Sequence, residues 1–254
     1  MVINLKKGIY VSVKFKSLFC SLLTVAFIFS FFAFAFSQTG YSKGKNVSSQ
    51  VLPSDLPLII VDPGHGGEDG GTSSAEGVVE KDINLAISNK IDILLTLCGY
   101  DTLMTRNEDK LLYDGEPSTM RSKKFADIKK RMTIVENNPE SIFLSIHQNY
   151  FTQSKYSGAQ VFYSANNAES KIIADSIQGS IKADIQNDNQ RKTKKSGKEI
   201  YLLYHAESPA VMVECGFMSN PDEARLLCDE EYQIKMSVSI IDGLNDYLKA
   251  KGEL

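Results

Sequence analysis

The chain has 254 residues, a formal net charge of -3 and an apolar fraction of 43%. That apolar content is enough for a real core and excludes a disordered protein, while the acidic balance argues against nucleic acid as the main partner, because phosphate binding needs a basic surface. The length fits one large domain or a domain with a small insertion.

The N-terminal segment, residues 1–37, has the composition of an export signal. Four lysines precede an uncharged apolar run from Leu18 to Phe36, and small residues stand near the end of that run. Because about 20 apolar residues can span a bilayer, an uncleaved N-terminal membrane anchor is the alternative. Either interpretation places the remainder outside the cytoplasm. Residues 38–55 are expected to form a linker, and residues 56–254 are expected to form the main folded domain.

In residues 56–254, short apolar runs that are typical of strands alternate with segments in which apolar residues recur every three or four positions, as in helices. Strands are expected at Leu58–Val61, Thr102–Met104, Ser141–Ile146, Ala159–Tyr163 and Ala210–Val213. Helices are expected from Glu80 to about Leu97, from Ser122 to about Asn137, from Asn167 to about Ile185 and from Glu230 to about Lys251. This order predicts the α/β class, a single domain with a mostly parallel, twisted sheet and helices on both faces.

Other features concern packing and loops. The apolar faces of the last three helices are expected to include Phe125, Ile172, Ile234 and Val238. The cysteines after the leader are interpreted as small buried hydrophobes, with Cys215 on the sheet face opposite Glu214. Residues 107–121 and the basic stretch 187–198 are expected to be exposed loops. The basic loop either binds carboxylates of an anionic polymer or is simply solvated.

Two of only three histidines follow predicted strands, and this spacing indicates a zinc site. His65 comes after the first strand, His147 after the third, and Glu214 ends the last. Carboxyl ends of parallel strands meet at one sheet edge, and the Gly-rich connection can return Glu80 to it. Two imidazoles, a carboxylate ligand and a second carboxylate as general base are the working parts of a zinc hydrolase.

Each of these residues also has a plainer interpretation. His65 can be a hydrogen-bonded structural histidine, and Glu80 an ordinary first-turn glutamate. Glu214 can form a salt bridge to Arg131 or to Arg225. His205 can replace a metal ligand or lie in the substrate groove, which Asn149 and Arg131 are also expected to line.

Four segments in order resemble the zinc-dependent N-acetylmuramoyl-L-alanine amidases of bacterial cell walls. They are Val61-Asp62-Pro63-Gly64-His65-Gly66-Gly67-Glu68-Asp69-Gly70-Gly71, Glu80-Lys81-Asp82-Ile83-Asn84-Leu85, Ser145-Ile146-His147-Gln148-Asn149 and Val213-Glu214-Cys215-Gly216-Phe217-Met218-Ser219-Asn220-Pro221. The resemblance implies one Zn²⁺ on His65, Glu80 and His147, with Glu214 as the catalytic glutamate. Gln148 and Cys215 depart from the family pattern, and they bear on substrate fit more than on catalysis.

The implied reaction is hydrolysis of the amide bond between the lactyl group of N-acetylmuramic acid and L-alanine in peptidoglycan. Segments 111–114 and 200–203 are similar to the spore-cortex branch, which helps to make muramic lactam. The alternatives are a zinc peptidase that cuts within the stem peptide and a non-catalytic wall-binding relative. An accessory protein and membrane attachment through the N-terminal segment are further expectations. Leader cleavage, oligomeric state and stem-peptide preference do not follow from the sequence.

Overall fold

A six-stranded sheet lies at the centre of the described part of the chain, residues 56–115 and 117–254 of a computed structural model. The leader and linker expected at residues 1–37 and 38–55 lie outside these residues. The strands are β1 (Ile59–Pro63), β2 (Thr102–Met104), β3 (Ile142–Asn149), β4 (Gln160–Tyr163), β5 (Lys194–Lys195) and β6 (Ala210–Phe217). Their order across the sheet is β2-β1-β3-β6-β4-β5.

Parallel pairing dominates the sheet. β1 pairs in parallel with β2 and β3, β3 with β6, and β4 with β5, while β4 runs antiparallel to β6. The predicted α/β class with a mostly parallel sheet is therefore confirmed. The carboxyl ends of β1, β3 and β6 meet at one edge, which is where such sheets bind ligands.

Six helices cover the two faces of the sheet in the described residues. They are α1 (Glu80–Leu97), α2 (Met120–Glu136), α3 (Ala168–Asp184), α4 (Tyr201–His205), α5 (Pro221–Cys228) and α6 (Glu230–Lys251). Isoleucines and leucines of α1, α3 and α6 pack on one face. Met132 and Val135 of α2 pack with Leu202 and Leu203 of α4 on the other face, against Phe143 of β3. The sequence did not predict the short elements β5, α4 and α5.

Local capping sets where the second helix begins. Thr119 and Ser122 form a capping box, in which the Thr119 hydroxyl accepts the Ser122 amide. α2 therefore begins at Met120, two residues before the predicted start at Ser122.

Two strands run further than the sequence predicted. β3 continues to Asn149 and β6 to Phe217, so His147 and Glu214 lie within strands and not just beyond them. Pairing between these strands explains the extension, since His147 lies opposite Glu214 and the register shifts only beyond that pair. Such a bulge re-aims side chains at the end of a strand.

Several apolar side chains expected to face the core lie outside it. Phe125 is 59% exposed, because the buried face of α2 carries the polar pair Asp127 and Arg131 instead. Ile172, Ile234 and Val238 are also exposed, so these three expectations were wrong as well.

The cysteines give a mixed result. Cys215 is buried on the face opposite Glu214, as predicted, but Cys98 and Cys228 are exposed. All three have free thiols.

Within residues 56–115 and 117–254, none of the helices combines the length and apolar character needed to cross a bilayer.

Candidate metal centre

Three side chains that are far apart in sequence meet at the carboxyl edge of the sheet. His65, Glu80 and His147 each offer one ligand atom, and these atoms lie within 4.8 Å of one another. Glu80 lies between the two imidazoles, with Oε2 at 3.3 Å from His65 Nε2 and Oε1 at 3.0 Å from His147 Nδ1. The two rings meet edge to face, with centroids 4.9 Å apart. Two imidazoles and one carboxylate are a ligand set that proteins use to hold a catalytic zinc ion.

The backbone at His65 is strained. Its φ of 61° is the only positive value at a non-glycine residue in the described chain. A side chain in the left-handed region costs of order 1–3 kcal/mol and persists only where its surroundings hold it. Arg131 donates to the carbonyls of Pro63 and His65, and Arg106 donates to those of Pro63 and Gly64. Two buried guanidinium groups therefore hold the segment that carries the first histidine.

Glu80 is fixed by the chain around it. As the first residue of α1 it is buried, and its Oε2 accepts the amide of Thr72 at 2.9 Å. Oε1 accepts the amide of Gln148 at 3.0 Å and the side-chain amide of Asn84 at 3.3 Å. Burial alone would raise the pKa of Glu80, but both imidazoles hold it well below its usual range. The carboxylate therefore stays ionised and in place.

Gly64 and Gly71 lack side chains, and this leaves space for the ligand side chains. A Cβ at Gly64 would lie 2.1 Å from His147 Nε2. A Cβ at Gly71 would lie 2.4 Å from Glu80 Oε2, and Gly71 also has a φ of 72°. Any larger residue at either position would displace a ligand.

Asp69 completes the surroundings of His65. Its Oδ2 lies 2.8 Å from His65 Nδ1, which leaves Nε2 directed to the cluster. Burial opposes protonation of His65, yet Asp69 and Glu80 raise its pKa to about 9. The negative charge of these two carboxylates favours binding of a divalent cation. A carboxylate hydrogen-bonded to the second ring nitrogen is the usual partner of a metal-bound histidine. Asp69 was not singled out for this role from the sequence. A carboxylate four residues after His65 was the available signal.

Glu214 lies beside the cluster on the neighbouring strand. It is opposite His147 in the parallel pairing of β3 and β6, so both side chains project from the same face. Burial raises the pKa of Glu214 to about 7 against the opposing effect of His147. Its Oε2 is buried without a hydrogen-bond partner. Neither Arg131 nor Arg225 pairs with it among the described residues, which argues against the salt-bridge interpretation.

Arg131, which was expected to line the substrate groove, lies buried beneath the site and is among the residues that line the cavity beside it. It is 2% exposed, and its guanidinium pairs with Asp62 and Asp127 in addition to the two carbonyls. Although burial would raise the pKa of Asp62, Arg131 and the hydroxyls of Thr105 and Ser145 lower it. The sequence showed that an arginine was present on this helix but not which way it points.

Asn149 and His205 are the other two residues that were expected to line the substrate groove. Asn149 ends β3, and its carbonyl accepts the amide of Met218. His205 lies exposed at the end of α4, with its ring 4.3 Å from that of Tyr201. It is not part of the metal cluster found in the described residues, so it does not replace a ligand.

A cavity of about 310 Å³ opens beside the two ligand histidines, between α2 and α4. Ile128, Leu202 and Met212 give it an apolar wall, and Lys124 and Glu199 lie among its charged lining residues. An apolar pocket with a few polar groups beside a metal cluster is the usual form of a substrate site.

Known proteins are similar to this chain in sequence. A sequence profile described as N-acetylmuramoyl-L-alanine amidase matches residues 59–246. The germination-specific N-acetylmuramoyl-L-alanine amidase of Bacillus subtilis (strain 168) is 32% identical over 229 residues, which cover 90% of this chain and 94% of that protein.

Solved structures agree with the sequence matches. The CwlD amidase from Clostridioides difficile, solved in complex with the GerS lipoprotein, superposes with a TM-score of 0.74 at 41% identity, covering 77% of this chain and 100% of that one. The N-acetylmuramoyl-L-alanine amidase AmiC2 of Nostoc punctiforme gives a TM-score of 0.65 at 27% identity, covering 76% of this chain and 97% of that one.

Proposed function

Because this chain belongs to the N-acetylmuramoyl-L-alanine amidase family, and is therefore a peptidoglycan amidase, we propose that one Zn²⁺ held by His65, Glu80 and His147 serves its reaction. The bond cleaved joins the lactyl group of N-acetylmuramic acid to L-alanine. Residues 56–254 form the catalytic domain in this proposal.

The observation that carries the proposal is the position of Glu214 next to the three ligands. Zinc bound there supplies a Lewis acid that polarises the scissile carbonyl and makes water acidic enough to attack near neutral pH. Glu214 accepts a proton from water as the oxygen bonds to the carbonyl carbon. It then donates that proton to the nitrogen of L-alanine as the carbon–nitrogen bond breaks. A carboxyl group with a pKa raised to about 7 suits both transfers.

The remaining polar groups hold the reacting ones in place. Asp69 fixes the ring of His65, and the amides of Thr72 and Gln148 fix the two oxygens of Glu80. Substrate lies in the cavity between α2 and α4 in this proposal, and Asn149 and His205, which are not among the cavity's lining residues, are proposed as further substrate contacts.

The biological setting is the spore cortex, where the product sugar is converted to muramic lactam. Two relatives support this part of the proposal, the germination-specific amidase of Bacillus subtilis and the CwlD amidase of Clostridioides difficile. Of the two segments similar to that branch, residues 200–202 line this cavity, while residues 111–114 lie in the loop before α2. Spores of a strain that lacks this protein should have a cortex without muramic lactam.

An accessory protein and an extracytoplasmic location complete the proposal. The complex of CwlD with a lipoprotein is the support for the accessory protein. The basic and apolar segment at residues 1–37 supports export, as a cleaved signal or as an anchor.

The deciding experiment is mass spectrometry of muropeptides from purified peptidoglycan treated with the zinc-loaded protein, with a chelator-treated control. Release of intact stem peptides that begin with L-alanine, leaving a free lactyl acid on the sugar, supports the proposal. Fragments cut within the stem would indicate the peptidase alternative. Binding without cleavage by a metal-free protein would indicate the wall-binding alternative.

A further inference from the structure

Arg191 has a guanidinium group with unused hydrogen-bond donors at the active-site edge. Its Nη2 donates to Gln160 Oε1, but its Nε is buried without an acceptor. Nη1 forms no hydrogen bond within residues 56–115 and 117–254 and is not among their buried unpaired atoms. The two arginines under the metal centre differ, since Arg131 and Arg106 donate through all three of their nitrogens. Buried donors without partners are rare and call for a ligand or a water molecule.

The sheet register connects Arg191 to the reacting groups. Gln160 of β4 lies opposite Glu214 of β6, and Glu214 lies opposite His147 of β3. Their side chains therefore stand in one row on one face. Neighbouring strands are about 4.8 Å apart, so Gln160, which holds Arg191, lies roughly 10 Å from His147 across the row.

The guanidinium is held in a fixed orientation. Its carbon lies 4.9 Å from the centroid of the Phe217 ring, and the Arg191 amide donates to Asn189 Oδ1 at 2.9 Å. Gln160 is itself fixed, because its Nε2 donates to the carbonyl of Lys192 at 2.7 Å. A preorganised arginine loses little entropy when it binds a carboxylate in two-point contact.

No carboxylate in the described chain pairs with Arg191. Glu223 and Glu214 both influence it electrostatically without an ion pair to it among the described residues, and the Glu223 oxygens accept the amides of Gly158 and Phe217, each at 2.8 Å. Arg191 also lines a second cavity of about 610 Å³, separate from the one between α2 and α4, through which a ligand can reach the guanidinium.

We propose that Arg191 binds a free carboxylate on the second or third residue of the stem peptide, and so selects stems that carry it. This inference rests on the proposed function, since it needs L-alanine at Glu214. An extended peptide advances about 3.3 Å per residue, so two or three residues cover the row from the cleaved bond to Arg191. The second stem residue of peptidoglycan is D-glutamate linked through its γ-carboxyl, which leaves its α-carboxylate free unless it is amidated. The third residue carries a further carboxylate when it is diaminopimelate.

The test compares matched substrates with the full-length, zinc-loaded protein. The first pair is N-acetylmuramoyl-L-alanyl-D-glutamate and its D-isoglutamine counterpart, each with the γ-carboxyl capped as a methylamide, so that only the α-carboxyl differs. The second pair has meso-diaminopimelate or its amide at the third position. Arg191→Gln should raise KM roughly 10- to 100-fold for the carboxylate form of one pair, leaving kcat and the KM of the amide form close to wild type. The pair that responds identifies the carboxylate. Arg191→Lys should restore the preference only in part.

A calorimetric arm keeps this inference separate from the proposed function. The binding of the same compounds is measured with Glu214→Gln alone and combined with Arg191→Gln. If the double variant loses the preference for the carboxylate form that Glu214→Gln alone retains, the result supports the role of Arg191. Failure of the wild-type protein to hydrolyse the compounds would count against the proposed function and not against this inference. Lys192→Gln, which removes an exposed charge next to Arg191, should keep the preference. Equal effects of Arg191→Gln on both members of each pair, or a change confined to melting temperature, would overturn the inference.

Discussion

His147 and Glu214 lie directly opposite each other on the parallel strands β3 and β6. One is a proposed metal ligand and the other a proposed general base, so the register of a single strand pair sets their separation. A slip of one residue would turn one of them to the other face of the sheet. The buried rows on both faces prevent such a slip.

Removing the carboxylate at Glu214 tests its role as the proton carrier. Glu214→Gln keeps the shape but cannot accept the proton, so kcat should fall by about 10²- to 10⁴-fold. Zinc content and melting temperature should stay close to wild type, because Glu214 is not a proposed ligand. Steady-state kinetics and metal analysis of the same preparation give both readouts. The matched control is Glu207→Gln, which changes an exposed carboxylate and should retain full activity. Near-normal kcat in the Glu214 variant would exclude the role.

Substitution of Gly64 tests the close packing around His147. The Cβ of Gly64→Ala would lie 2.1 Å from His147 Nε2, so the ring must move. We expect zinc affinity to fall tenfold or more, measured by competition with a chromophoric chelator. Gly179→Ala is the control, because its Cβ meets nothing within 4 Å in a helix. It should leave zinc affinity unchanged and stabilise the protein by about 0.5–1 kcal/mol. Equal zinc affinity in both variants would contradict the packing argument.

The buried pair of Asp62 and Arg131 should be important for stability. Asp62→Asn removes the charge that compensates a guanidinium with 2% exposure. Breaking a buried pair on one side costs about 3–5 kcal/mol, measured as the free energy of unfolding in urea. Glu231→Gln removes one partner of an exposed pair with Lys235 and should have no measurable effect. A small loss in Asp62→Asn would mean that the pair contributes little.

The same pair predicts how stability depends on pH. The pKa of Asp62 is lowered in the folded protein, while an unfolded aspartate titrates at about 3.9. Its contribution is therefore complete above pH of about 4 and is lost as the pH falls through the lower folded value. Urea unfolding from pH 7 down to pH 3 should show a decline at the acid end, and Asp62→Asn should flatten it. Parallel curves for both proteins would assign the acid sensitivity to other carboxylates.

Metal binding should be visible as a shift in thermal stability. A ligand present at 100 times its Kd stabilises the folded state by about 2.7 kcal/mol, which corresponds to about 5–10 °C in a domain of this size. Zinc added to chelator-treated protein should raise the melting temperature by that amount. His147→Ala should lack the shift, since it removes one of three ligands. A shift of equal size in that variant would place the ion elsewhere.

Much of the site could be predicted because parallel strands bring distant residues to one edge. His65, His147 and Glu214 each followed an apolar run, and that pattern was sufficient to place them together. Glu80 lies at a helix start, so a loop has to bring it back to the same edge, and the glycine-rich sequence after His65 indicated such a loop. The alternation of strands and helices likewise predicted the sheet and the four long helices.

The remaining features depend on which way a side chain points. Phe125 and Arg131 both lie on α2, and the helical period alone did not show that the arginine turns inward while the phenylalanine stays exposed. Asp69 supports His65 through a turn whose shape comes from positive φ angles at Gly66 and Gly67. Arg191 lay in a basic loop, and only the pairing of β4 with β6 places it in line with Glu214.

The ligands at positions 65, 80 and 147 belong to a loop, a helix start and a strand that meet only when β1 and β3 have paired. An extended chain, such as one being threaded through a translocon, has no such cluster. The ion can therefore enter only after the sheet has assembled. If the proposed Zn²⁺ is the metal, the compartment in which folding finishes supplies it, and the free zinc concentration there sets the fraction of active enzyme.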